Sequence, residues 1–124
     1  MARIQINSGS LRIEAELDDS PAGARIVKAL PIQAVANTWG DEVYFDSGVS
    51  LKADRSAREV MEVGEIAYWP PGKAICLFFG PTPVSGPDGK PRAASPVVPV
   101  GRVLGPPAAL KSIRDGGQIS ITML

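Results

Sequence analysis

Residues able to do chemistry are scarce in this chain of 124 residues. It has no histidine and a single cysteine, Cys76. A Ser-His-Asp triad is therefore excluded, and so is a zinc site built from histidine and cysteine. Cys76 lies between Ile75 and Leu77, has no histidine base, and reads as a buried, inert thiol. Three carboxylates, Asp41, Glu42 and Glu65, raise the idea of an acid–base pair. Asp41 and Glu42 are adjacent on a strand and point apart, so they read as turn and solvated residues. The Asp18-Asp19 pair and Asp88 lack a cation-binding loop pattern and read as turns. Gly86 to Lys90 lacks phosphate-loop spacing and reads as a hairpin tip. These residues imply no catalytic set, no metal and no cofactor.

What remains is aromatic. Trp39, Tyr44, Phe45, Tyr68, Trp69, Phe78 and Phe79 all fall in the middle of the chain. One reading makes them a binding wall; the other makes them core packing and end plugs of a small β-domain. Alternation along a strand splits Phe78 from Phe79 and Tyr68 from Trp69, one to each face. The expected ligand-binding set is Trp39, Tyr44, Tyr68, Trp69 and Phe79, with Arg92 at the groove mouth. Lys73 and Arg92 there favour an acidic ligand, although solvated charges are the ordinary reading.

Composition bounds the rest. The length suits one domain, expected over residues 1–124, and a hydrophobic content of 44% is enough for a core. Thirteen basic and thirteen acidic residues cancel, and no basic stripe appears, which disfavours nucleic acid. No apolar run has signal-peptide or membrane-span length, and a lone cysteine suits a reducing compartment, so a cytoplasmic chain is expected.

Thirteen glycines and twelve prolines punctuate short Val- and Ile-rich runs, as in an all-β fold. Arg3–Asn7 and Leu11–Leu17 alternate and predict a hairpin around Asn7-Ser8-Gly9-Ser10. Ser20-Pro21 predicts a helix start, with Ser20 as cap, and Pro31 its end. A second, short helix is expected over Ala108 to Ile113. Glu42–Asp46 reads as a strand, and Ser47 to Arg58 as loop with a turn of helix. A central hairpin turns at Pro70-Pro71-Gly72. Pro81 to Pro96 is the most loop-like stretch. Val97–Leu104 reads as a strand with Pro99 at an edge or bulge, and Gln118–Met123 closes the chain. The expected architecture is a mainly β, closed antiparallel barrel of about eight strands with one or two short helices, its first strand sealed against its last.

The order of these elements resembles the cyclophilin-like fold over most of the chain. Leu11 to Leu30 looks like the second strand and first helix of cyclophilins, and Leu77-Phe78-Phe79 sits where they carry Gln-Phe-Phe. Val97 to Ile121, with Val100-Gly101-Arg102-Val103, looks like their C-terminal part. Asn37 to Phe45 and Gly64 to Pro83 are similar to a family of small, functionally uncharacterised prokaryotic proteins with a shortened cyclophilin-like barrel.

Cyclophilins are peptidyl-prolyl isomerases, and the resemblance matches Phe79 by position to their pocket phenylalanine. Trp39 to Asp46 lacks the arginine that cyclophilins use, Leu77 replaces their glutamine, and Arg92 to Pro96 lacks their later tryptophan and histidine. The expected function is binding of a small ligand or an extended, proline-containing peptide in an aromatic groove, with little or no catalysis. An isomerase with its arginine displaced to Arg92 or Arg102 is the alternative. An accessory subunit that buries the groove in a partner is the second alternative.

Overall fold

A computed structural model describes residues 1–124. Strands β1 (Ala2–Ser8) and β2 (Leu11–Leu17) pair antiparallel through seven matched positions. Gly9 makes the turn at φ 58°, a left-handed value that suits glycine. Helix α1 (Pro21–Ala29) starts as its sequence predicts: the Ser20 Oγ accepts from the Gly23 amide at 3.1 Å, and proline opens the first turn. Its Ile26 is fully buried in the main core.

Strands β3 (Ile32–Val35), β4 (Asn37–Thr38), β5 (Glu42–Asp46) and β6 (Arg58–Val60) follow. Then come β7 (Glu65–Trp69), a 3-10 turn over Pro70–Gly72, β8 (Ala74–Phe78) and the long β9 (Arg92–Val103). A second 3-10 segment over Pro107–Ser112 stands where a short helix is expected, and β10 (Gln118–Met123) ends the fold. Ser47 to Ala57 is irregular and contains no helical turn.

The sheet has ten strands in the order β3-β10-β1-β2-β9-β7-β8-β5-β4, with β6 paired to β9 off this path. First and last strands do pair, β1 against β10. The sheet is nevertheless not a closed barrel, which corrects the expected architecture. Its two edges, β3 and β4, are consecutive in the chain and separated only by Ala36. They run on as one extended segment that changes partner from β10 to β5, and such a segment cannot form a ladder with itself.

Pro99 sits at the irregularity where β9 slips against β7, as its missing amide hydrogen requires. β9 begins at Arg92 and so takes in the end of a stretch that reads as loop, because its N-terminal part pairs only with short β6.

Two clusters of side chains lie on opposite faces of the β5-β8-β7 portion. Val43, Phe45, Ile66, Tyr68, Ile75 and Leu77 join the main core. Met61, Ala67, Cys76, Phe78, Ala93 and Val97 form a smaller cluster, with Tyr44 and Trp69 packed against it. Strand β8 is buried at every position because it serves both.

Candidate functional site

The smaller cluster has an opening. A cavity of about 260 Å³ lies against it, lined by Trp39, Glu42, Tyr44, Trp69, Cys76, Ala93, Ala94 and Val97. Alternation on β5 puts Glu42 and Tyr44 on the same face, and register places Tyr44 opposite Cys76. Cys76 pairs on its other side with Ala67, and Trp69 with Ala74. The β9 residues Ala93, Ala94 and Val97 supply the remaining wall. Both tryptophans of the chain line this one space.

Trp69 is held on two sides. Its indole Nε1 donates to Ser95 Oγ at 2.7 Å. Gly72 lies over its six-membered ring, where a Cβ would come within 2.7 Å of Cε3 and Cζ3. A side chain at residue 72 would therefore displace the ring.

Glu42 is 5% exposed, against the expectation of a solvated strand carboxylate. Burial raises its pKa from an ordinary 4.5 to about 7, opposed by a hydrogen bond from the Cys76 thiol. Burial, with the neighbouring Glu42 charge, pushes the Cys76 thiol up and keeps it protonated, in line with an inert thiol. Glu42 carries no sequence motif. Its one signal is the period of two that places it on the face of Tyr44. The other two carboxylates go elsewhere: Glu65 pairs with Arg58 at 2.6 Å, and Asp41 packs beside Gly80.

Of the six residues expected to bind ligand, the fold brings three together here: Trp39, Tyr44 and Trp69. Tyr68 is not with them. It is 0% exposed on the opposite face of β7, and its hydroxyl donates to the Val49 carbonyl and accepts from the Leu51 amide at 3.1 Å. It ties the irregular 47–57 segment to the core. Tyr68→Phe leaves both backbone groups without that partner, and a loss of about 2 kcal/mol is expected in urea unfolding. A change below about 0.5 kcal/mol would show that the hydroxyl holds nothing.

Phe79 is half-buried beyond the end of β8 and packs against the main core, so it too lies away from the cavity. Its neighbour Phe78 is the one that faces the smaller cluster. Arg92 is exposed and pairs with Glu59 at 3.1 Å, and it is not among the lining residues. Arg102, the other displaced-arginine candidate, pairs with Glu16 at 3.3 Å. Lys73 takes a left-handed φ of 49° at the hairpin turn and is exposed.

A larger, shallow trough of about 770 Å³ runs past Glu16, Arg58, Glu65 and Arg102. Both of its arginines are engaged, in the Arg58–Glu65 and Arg102–Glu16 pairs. The smaller cavity combines aromatic walls with a carboxyl that no basic group neutralises, so it is the stronger candidate. No group of histidine, cysteine and carboxylate residues is arranged to hold a metal ion. No helix is long and apolar enough to cross a membrane.

No curated protein matches the chain. Among solved structures, the solution structure of the hypothetical protein AF2241 from Archaeoglobus fulgidus is 40% identical, with a TM-score of 0.81. The match covers 99% of this chain and 95% of that one. McbB, solved in complex with tryptophan, shares the fold at a TM-score of 0.68 and 16% identity. That match takes in 97% of this chain but only 44% of McbB. A family model described as cyclophilin-like matches residues 2–122. With the strand order and the 40% identical archaeal structure, that match shows that the chain belongs to the cyclophilin-like family.

Proposed function

We propose that this protein binds a small ligand, or one residue of an extended proline-containing peptide, in the aromatic cavity, with little or no catalysis. The observation that carries the reading is the cavity itself: about 260 Å³, with seven of eight lining residues apolar. A space of that size takes one ring or one branched head group rather than a large cofactor. Tyr44 lies on β5 and Trp69 on β7, and the Ser95 contact fixes the Trp69 indole, which limits the ordering cost of binding. McbB, of the same fold over 44% of its length, was solved with tryptophan bound. The lining offers no arginine to a prolyl imide, and both displaced-arginine candidates are engaged in ion pairs. That favours binding over isomerisation.

Intrinsic fluorescence tests this directly, because Trp39 and Trp69 are the only tryptophans and both line the cavity. Titration with a panel of small ring compounds, amines and proline-containing peptides is expected to give a saturable change in emission. Ala94→Phe, at an exposed lining position, is expected to fill the opening and weaken binding at least about tenfold while the fold is kept. A panel without one saturable response would overturn the reading.

A further inference from the structure

The polar content of the cavity is one-sided. Glu42 is the only residue of formal charge among those lining it. Its carboxyl lies beside the Cys76 thiol, and it takes part in none of the ion pairs of the chain. A neutral apolar ligand would bury this carboxyl further and leave it unpaired, which is costly. An anion would meet it at short range and be repelled. A cation reverses both penalties.

The walls point the same way. Trp39, Tyr44 and Trp69 surround the space, and the faces of aromatic rings carry negative charge density. A cation held against such rings and shielded from water is attracted to them. Trp69 is already fixed by Ser95 and Gly72, so its ring need not be ordered at the moment of binding. Three rings and one buried acid form a receptor for positive charge spread over methyl or methylene groups.

We infer that the cavity receives an alkylammonium head group, with Glu42 as counter-ion and Trp39, Tyr44 and Trp69 as its walls. This deepens the binding reading and rests on it. The head group can belong to a free amine or to a methylated lysine side chain; the chemistry is shared. The raised pKa of Glu42 agrees, since burial disfavours its charged form and a cation beside it would favour that form.

The test uses charged and neutral ligands of equal shape. Choline is titrated beside 3,3-dimethylbutan-1-ol, its uncharged isostere, by calorimetry and tryptophan emission at about pH 8. A peptide bearing trimethyl-lysine is titrated beside the same peptide carrying 2-amino-7,7-dimethyloctanoic acid, its uncharged isostere, at that position. The cationic member of either pair is expected to bind about tenfold tighter or more. Glu42→Gln is expected to erase that preference: the cation binds more weakly, and the neutral isostere binds at least as tightly as it does to the parent, because no charged carboxyl is left to bury. The pair showing the larger preference identifies the source of the head group.

A neutral isostere that binds as well as its cation overturns the inference and leaves the binding reading standing. The inference fails in the same way if Glu42→Gln keeps the preference. Silence from all four ligands overturns the cation assignment, and the binding reading fails with it only if the wider panel is silent too.

Discussion

Gly101→Ala is expected to cost at least about 3 kcal/mol, and a thermal melt followed by circular dichroism is expected to fall by roughly 10 °C. Gly101 is the point where β9 faces two neighbours at once, Leu17 on β2 and Ile66 on β7. A Cβ there would overlap the Glu16 carbonyl oxygen outright and come within 3.0 Å of Leu17 Cα. Those obstacles are backbone, so no rotamer change relieves them. Relief requires β2 and β9 to part, and β2–β9 is the seam that joins the β1-β2-β10 side of the sheet to the β7-β8-β5 side. The same β9 carries Ala93, Ala94 and Val97 to the cavity. Loss of ligand-dependent emission is therefore expected alongside the loss of stability. A variant melting within about 3 °C of the parent would mean that the two strands separate easily there.

Glu42→Gln is expected to do the opposite above neutral pH. Between pH 4.5 and about 7 the folded state keeps a proton on Glu42 that the unfolded chain releases. The unfolded state thus binds fewer protons in that window, and stability falls as pH rises through it. The total is about 3 kcal/mol, reached once the pH is above the folded value and constant beyond it. Below about pH 4.5 both states hold the proton and nothing is lost. Glutamine has no proton to lose, so the variant is expected to match the parent at about pH 4 and exceed it by about 3 kcal/mol at about pH 8 in urea unfolding. Titrations elsewhere in the chain are shared by both proteins and cancel in the difference. Equal losses for parent and variant between those two pH values would show that Glu42 is not desolvated. A more stable variant that no longer distinguishes choline from its isostere separates the two roles: the carboxyl is a burden on the empty fold and a partner for a cation.

The neighbouring pair Phe78 and Phe79 shows how far local pattern reaches. Alternation alone states that they point to opposite faces. It cannot say which face is which, because β8 is apolar throughout and buried on both sides. Tyr68 and Trp69 pose the same problem on β7. Trp69 reaches the cavity because its register partner on β8 is Ala74, on the face that also carries Cys76. Tyr68 goes to the core because the irregular 47–57 segment folds beneath it and takes its hydroxyl. Both outcomes are set by residues distant in the chain.

The acid at Glu42 was hidden for a related reason. A strand glutamate reads as solvated, and nothing within five residues signals that β9 lies over it. The wall residues Ala93, Ala94 and Val97 are some fifty positions away, in a proline-rich stretch that reads partly as loop.

From residue types and short spacings alone came the β1–β2 hairpin, the Ser20-capped helix, the proline at the β9 irregularity and the absence of a histidine-based site. Each depends on neighbours a few residues apart, where backbone sterics and capping act. Strand order, the open edge between β3 and β4, and the meeting of three rings with one buried carboxyl were decided only by tertiary structure. They depend on which strands pair across long separations, and pairing is chosen by the packing of the whole sheet rather than by any one segment.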